Sequence, residues 1–111
     1  MKKNIIIFGA GESGITTKKA LDRDVKTKYN VLAFIDEDPK KVGKEVENLP
    51  VIRYQKLDEY LQKNNISFLI ISVQDLPASK KNEITEIALP YNVNVLQVPP
   101  VTRWINGSLS F

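Results

Sequence analysis

Short apolar runs, separated by polar and charged stretches, recur along the whole chain and predict buried β-strands. Three of these runs are continuous and rich in β-branched residues, which is typical of strands buried on both faces of a parallel sheet. A fourth run alternates apolar and polar residues, and a fifth, shorter run begins with a proline, which edge strands tolerate. In chain order, the five predicted strands cover residues 4–8, 30–35, 50–54, 67–73 and 93–98.

Apolar residues at helical spacing fill the intervals between most of these strands. They predict helices over residues 12–23 and 55–64. A third helix is expected from Ser79, whose hydroxyl suits an N-cap, to Pro90, which ends or bends it. We interpret the charged residues 40–49 as a loop. Because strands and helices alternate, the sequence predicts an α/β domain, a Rossmann-like three-layer fold with an open parallel sheet and right-handed crossovers.

The length of the chain limits its organisation. Its 111 residues suit one compact domain and are too few for a cofactor domain together with a full substrate domain. We therefore interpret residues 1–111 as a single domain. Residues 107–111 look like the opening of a further strand, so we expect the chain to be a fragment of a longer protein.

The composition of the chain excludes several kinds of catalytic and metal site. The chain contains neither cysteine nor histidine, which excludes thiol nucleophiles, disulfides, thiolate zinc sites and imidazole bases. The apolar run at 5–8 is too short for a signal peptide, and a glycine turn follows it at once. No stretch approaches the roughly 18 apolar residues of a membrane span. We therefore expect a cytoplasmic, soluble domain without a metal site.

The distribution of charge bears on the partners of the chain. Sixteen basic and thirteen acidic residues give a formal net charge of +3. The basic residues are spread along the whole chain and form no stripe with interleaved aromatic residues, which nucleic-acid binding would favour. We interpret them as solvated helix faces and expect no nucleic-acid partner.

A G-x-G-x-x-G motif joins the first predicted strand to the first predicted helix, which is the context that nucleotide binding requires. In such a motif the first glycine permits a tight turn, the second lets a pyrophosphate approach the backbone, and the third lets the helix pack closely. The free N–H groups at the start of the helix then face the phosphate. The motif consists of Gly9, Ala10, Gly11, Glu12, Ser13 and Gly14.

Asp36 supplies the second element of a dinucleotide site. It ends the second predicted strand, 22 residues after Gly14, close to the spacing of about 20 expected for an acid that binds ribose hydroxyls. An acid at this position favours NAD over NADP, although Lys40 and Lys41 soften that preference. The alternative is structural: the glycines only make a turn, and Asp36 caps the turn at Pro39.

The loop after the strand at 67–73 is the third candidate. Loops at the carboxyl ends of parallel strands line the ligand crevice, so Ser72 and Gln74 are candidates to hydrogen-bond a ribose or a base. An ordinary connecting loop is the alternative. We predict no catalytic residue, because no tyrosine has a lysine four places on, the pair that short-chain dehydrogenases use. Whether the domain is an enzyme therefore stays open.

Three segments carry a resemblance to a known family: 4–14, 31–39 and 49–52. They resemble the Rossmann, or CoA-binding-like, domain of bacterial polysaccharide-biosynthesis proteins that act as nucleotide-sugar dehydratases and epimerases. These include UDP-N-acetylglucosamine 4,6-dehydratase-like and UDP-quinovosamine 4-dehydrogenase-like proteins. The segment at 98–101, followed by Gly107, is similar to the exit of that domain, so the resemblance covers nearly the whole chain.

This resemblance implies an NAD(P) cofactor, with NAD preferred, or a UDP-sugar as the partner. It also implies a membrane-anchored parent protein at the cytoplasmic face of the inner membrane, and it leaves homo-oligomer formation open. It assigns nucleotide contacts to Gly9, Gly11, Gly14 and Asp36. Two alternatives remain: the sugar-nucleotide-binding module of a left-handed β-helix acyltransferase, and a non-catalytic regulatory Rossmann domain.

Overall fold

A six-stranded sheet with helices on both faces forms the molecule in a computed structural model that describes residues 2–100. The helices are α1 (Glu12–Asp22), α2 (Leu57–Lys63) and α3 (Ala78–Ala88), and single 3-10 turns occupy Tyr54–Lys56 and Leu89–Tyr91. The strands are β1 (Lys3–Phe8), β2 (Tyr29–Asp36), β3 (Glu45–Val46), β4 (Leu49–Arg53), β5 (Phe68–Ile71) and β6 (Asn94–Gln97).

The strand order places a crevice beside β1. The order across the sheet is β3-β4-β2-β1-β5-β6, and every neighbouring pair is parallel except β3 with β4. Strand β1 pairs with β2 on one side and with β5 on the other, so the chain winds outward in both directions from β1. Ligands of open α/β sheets bind at such a switch point, outside the carboxyl ends of the strands.

Alternate residues of β1 face opposite sides of the sheet, and both sides are covered. Ile6 and Phe8 belong to a core with α2 and α3, whereas Ile5 and Ile7 belong to a core that includes Leu21 of α1. All four of these β1 side chains are buried. Burial on both faces explains why this strand is a continuous apolar run, and it confirms the predicted Rossmann-like α/β class.

The predicted N-cap of the third helix is wrong. Helix α3 begins one residue earlier than expected, at Ala78, and Ser79 is an exposed residue inside its first turn. The carbonyl of Pro77 accepts the first hydrogen bonds of this helix, from the N–H groups of Lys80 and Lys81. The ring of Pro77 fixes its φ at −57°, so the chain enters the helix without a side-chain cap.

The predicted loop at 40–49 contains a small hairpin. Strand β3 pairs antiparallel with the start of β4, so β4 is not the edge of the sheet. The two residues between them, Glu47 and Asn48, have φ values of 50° and 63°, as a tight hairpin turn requires. Glu-Asn is a weak signal for this turn, because such turns favour Asn-Gly or Asp-Gly. The strand expected at 107–111 lies outside the described residues.

Candidate functional site

An open cleft of about 430 Å³ lies at the carboxyl ends of β1, β2 and β5. Its lining includes every residue proposed from the sequence except Ala10, and it adds Lys41, Val73 and Asp75. Ala10 is buried behind this surface. The three sequence-predicted elements, which are far apart along the chain, therefore meet in one place.

Two of the three motif glycines are required by packing within the protein. Gly9 has a φ of +112°, and a methyl group there would lie 2.5 Å from Ser72 Oγ. A methyl group on Gly14 would overlap the carbonyl oxygen of Gly9, which is backbone and cannot move aside easily. These glycines let α1 start directly against the end of β1, which is the packing role expected from the motif.

Gly11 differs from its two neighbours in the motif. A methyl group built on it would meet no backbone atom, and its nearest contact would be Lys41 Nζ at 3.3 Å. Gly11 is also the N-cap of α1, and it makes no side-chain capping bond. The first hydrogen bond of the helix runs from the Ile15 N–H to the Gly11 carbonyl, so the amides of residues 12–14 precede the ladder. Open space and free donors coincide here, as phosphate binding requires.

Asp36 holds the glycine turn in place. One of its carboxylate oxygens accepts the Ala10 N–H at 2.8 Å, and the other accepts the Asp38 N–H at 2.8 Å. The bond from Asp38 is the turn-capping role that the sequence left as an alternative. A carboxylate offers about four acceptor positions, so two remain for ribose hydroxyls. The ribose role therefore stays a prediction.

The side chains of Ser72 and Gln74 donate hydrogen bonds to backbone carbonyls of the protein itself. The buried Ser72 hydroxyl donates to the Phe8 carbonyl at 2.9 Å. The Gln74 Nε2 donates to the Val98 carbonyl at 3.2 Å, and a longer bond reaches the Ser72 carbonyl. Both side chains thus fasten the carboxyl ends of β1, β5 and β6 to each other. Their proposed contacts with a ribose or base stay predictions.

A charged cluster links the loop after β2 to the first turn of α3. Lys80 Nζ lies 3.0 Å from Glu37 Oε2 and 4.4 Å from the centre of the Tyr54 ring. The Tyr54 hydroxyl donates to Glu83 Oε1 at 2.5 Å, and its ring meets Phe8 edge-on. Burial, and then the hydrogen bond to Glu83, raise the pKa of Tyr54 well above its usual value. Tyr54 is therefore a neutral donor here.

The same cluster shifts the pKa values of Glu83 and Lys80, the two charged groups that contact Tyr54. The hydrogen bond from the Tyr54 hydroxyl is the largest cause that lowers the pKa of Glu83, and Lys80 adds to it. The hydrogen bond to Glu37 is the main cause that raises the pKa of Lys80. Both groups are thereby held in their charged forms. No local sequence pattern predicts this cluster, since its members come from three separate parts of the chain.

Residues 2–100 offer neither a carboxylate cluster for a metal ion nor a helix that could span a membrane. No group of three or more acidic side chains there is arranged to hold a metal ion. No helix in this part of the chain combines the length and the apolar character needed to cross a membrane.

Known proteins that are similar to this chain include transcriptional repressors and a nucleotide-sugar dehydrogenase. The redox-sensing transcriptional repressor Rex of Clostridium botulinum strain Hall is 37% identical over 90 residues, which cover 76% of this chain and 42% of that protein. UDP-D-quinovosamine 4-dehydrogenase from Vibrio fischeri superposes with a TM-score of 0.78 at 29% identity, covering 99% of this chain and 88% of its own. The Rex-family repressor RSP, in complex with β-NAD⁺ and operator DNA, gives a TM-score of 0.68 at 17% identity, covering 87% and 51%.

These comparisons support the fold that the resemblance implies. The fold is that of NAD-binding Rossmann domains, and the structural neighbours include a UDP-quinovosamine 4-dehydrogenase, as the resemblance implied. The sequence relatives, however, are repressors rather than polysaccharide-biosynthesis enzymes. This chain spans less than half of the length of those relatives.

The expectation that nucleic acid is excluded as a partner is wrong. Relatives of this chain are transcriptional repressors, and RSP is seen in complex with operator DNA. The exclusion rested on the spread of basic residues, which describes the surface of these 111 residues alone. This chain spans less than half of those repressors, so their contacts with DNA can lie in the parts that it does not match.

The match to a family profile extends over most of the chain. Residues 1–95 match the family described as C2185-like, N-terminal. The match includes the glycine turn, Asp36, Lys41 and the loop after β5, so it covers every element of the cleft. The chain therefore belongs to the C2185-like, N-terminal family.

Proposed function

We propose that this chain binds an NAD-type dinucleotide as a regulatory domain, which senses the cofactor rather than reacting with it. The observation that carries the proposal is the start of α1 at Gly11, which has no side-chain cap and opens onto the cleft beside the Asp36 carboxylate. The free amides of residues 12–14 are the donors for the pyrophosphate. The spare acceptor positions of Asp36 are the partners of a ribose.

The negative charge of Asp36 determines which dinucleotide we expect the chain to prefer. A 2′-phosphate on the adenosine ribose would lie against this carboxylate, and like charges repel. NAD(H) is therefore preferred over NADP(H). The regulatory role is supported by the relatives, which are named redox-sensing transcriptional repressors. In this proposal, the consequence of binding is expressed through other parts of the full-length protein.

Calorimetric titration of the wild-type chain with NADH, NAD⁺ and NADPH tests the proposal. The decisive variant is Gly11→Ala, because the added methyl group would contact only the end of the Lys41 side chain and no backbone atom, so we expect the fold to stay intact. We expect it to weaken NADH binding at least about tenfold by blocking the pyrophosphate. Gln62→Ala, an exposed position on α2, is the control and should bind like wild type.

Circular-dichroism melting separates a binding effect from a folding effect. Gly11→Ala should melt within a few degrees of wild type while losing affinity. The proposal fails if wild type binds neither NADH nor NAD⁺, or if Gly11→Ala binds them unchanged.

A second candidate is a nucleotide-sugar-binding domain of a polysaccharide-biosynthesis enzyme. The observation in its favour is the match to the Vibrio fischeri UDP-D-quinovosamine 4-dehydrogenase along 99% of this chain. The free helix amides and Gly11 would serve a UDP-sugar diphosphate equally well. Adding UDP-N-acetylglucosamine to the titration distinguishes the two, since binding of this ligand without NADH binding favours the second candidate.

A further inference from the structure

Lys41 is placed in the cleft by the same turn that positions Asp36. The turn after β2 is closed by a hydrogen bond from the Lys41 N–H to the Asp38 carbonyl at 3.0 Å. The Asp38 N–H in turn donates to Asp36. The lysine backbone is therefore fixed relative to the carboxylate, and its half-buried side chain reaches across to Gly11.

The ammonium group of Lys41 lacks a negatively charged partner within residues 2–100. Within residues 2–100, ion pairs with carboxylates are formed by Lys18, Lys56, Lys63 and Lys80, and Lys41 shares the lack of such a pair with the remaining lysines. Lys41 instead points at the start of α1, where the helix dipole is also positive. An anion placed between the ammonium and the start of the helix would be attracted by both.

We propose that Lys41 binds the pyrophosphate of the dinucleotide, on the side opposite the free amides of α1. This inference rests on the proposed function and adds a side-chain ligand to it. Its basis is the position of Nζ, 3.3 Å from where a methyl group on Gly11 would stand. That space is the one through which a pyrophosphate approaches the backbone of such a motif. A 2′-phosphate would instead lie at Asp36.

The test compares Lys41→Ala with Lys41→Arg and with Lys40→Ala by titration with NADH and NADPH. Lys40 is the matched control, because it is the adjacent lysine and its side chain is exposed. We expect Lys41→Ala to weaken both dinucleotides by about tenfold, because one charge-assisted contact is lost. Lys41→Arg should stay within about threefold of wild type, and Lys40→Ala within about twofold.

Salt dependence provides a second readout that a merely structural role would not move. Binding by wild type should weaken as ionic strength rises, and Lys41→Ala should weaken less steeply because one ion pair with the ligand is gone. Unchanged NADH affinity in Lys41→Ala would overturn the assignment of Lys41 alone. A loss confined to NADPH would overturn it too, by placing the ammonium at a 2′-phosphate. Wild type that binds no dinucleotide would overturn the proposed function itself.

Discussion

The two polar walls of the cleft use their side chains in opposite ways. The wall after β2 presents Asp36, which keeps free acceptor positions, and Lys41, whose ammonium is unpaired within residues 2–100. The wall after β5 presents Ser72 and Gln74, whose donors are bonded to backbone carbonyls of β1, β5 and the end of β6. We infer that the first wall recognises a ligand and that the second wall supports the strands beneath it.

The geometry of the sheet explains this division. Strands β1 and β5 pair directly up to Phe8 and Ile71, so Ser72 follows at the point where the two backbones are closest to the glycine turn. There its hydroxyl has two backbone carbonyls within reach, those of Phe8 and Gly9. The turn after β2 instead contributes Asp36 and Lys41 to the lining of the cleft.

The largest effect on NADH affinity is expected from Asp36→Ala, a substitution in the first wall. This change removes the ribose partner and two hydrogen bonds to backbone amides. We expect NADH affinity to fall by about a hundredfold and the free energy of unfolding to fall by about 2 kcal/mol, as for hydrogen bonds to a charged group. Calorimetry and urea denaturation measure the two effects.

Asp75→Ala is the matched control for this first prediction. Asp75 is an acid of the second wall that also lines the cleft, and it is exposed. Its loss should leave both affinity and stability near wild type. Equal losses of NADH affinity in the two variants would contradict the division between the walls.

A smaller effect, of a different kind, is expected from Ser72→Ala in the second wall. The buried hydroxyl is lost and the Phe8 carbonyl keeps its bond from the Ser72 N–H, so we expect a cost of about 1 kcal/mol in unfolding free energy. NADH affinity should stay within about twofold of wild type. Thr85→Ala, which removes an exposed hydroxyl bonded within α3, controls for loss of a hydroxyl as such. A large loss of affinity without loss of stability would make Ser72 a ligand contact.

Local patterns were sufficient to predict the sheet and the glycine turn. Continuous apolar runs mark β1, β2 and β5 because these strands are buried on both faces, and the spacing of Asp36 from the motif follows from the length of one helix and one strand. The hairpin at Glu47 and Asn48 escaped prediction, since its sequence is untypical of tight turns.

The division between the walls could not be predicted from the sequence. Ser72 and Gln74 are candidates because they follow a strand, but the direction of their hydrogen bonds depends on the register of β1 with β5. The sequence shows only that Lys41 is close to Asp36 along the chain. That it points at Gly11 depends on how the turn from Asp38 to Lys44 closes, through bonds that no local pattern specifies.

The smallest expected effect depends on pH and concerns the charged cluster of Glu37, Tyr54, Lys80 and Glu83, which links the loop after β2 to α3. The Tyr54 hydroxyl lowers the pKa of Glu83 in the folded protein, so its contribution to stability is present above the unfolded pKa of about 4.5 and is lost as pH falls through the lower folded value. Tyr54→Phe should therefore destabilise the protein more at pH 7 than at pH 3.5 in urea denaturation.

Tyr91→Phe, which removes an exposed hydrogen bond to Asp58, is the control. Because Tyr54 and Glu83 do not line the cleft, NADH affinity should not change at pH 7. An equal destabilisation by Tyr54→Phe at both pH values would show that the hydroxyl acts through packing and not through the Glu83 carboxylate.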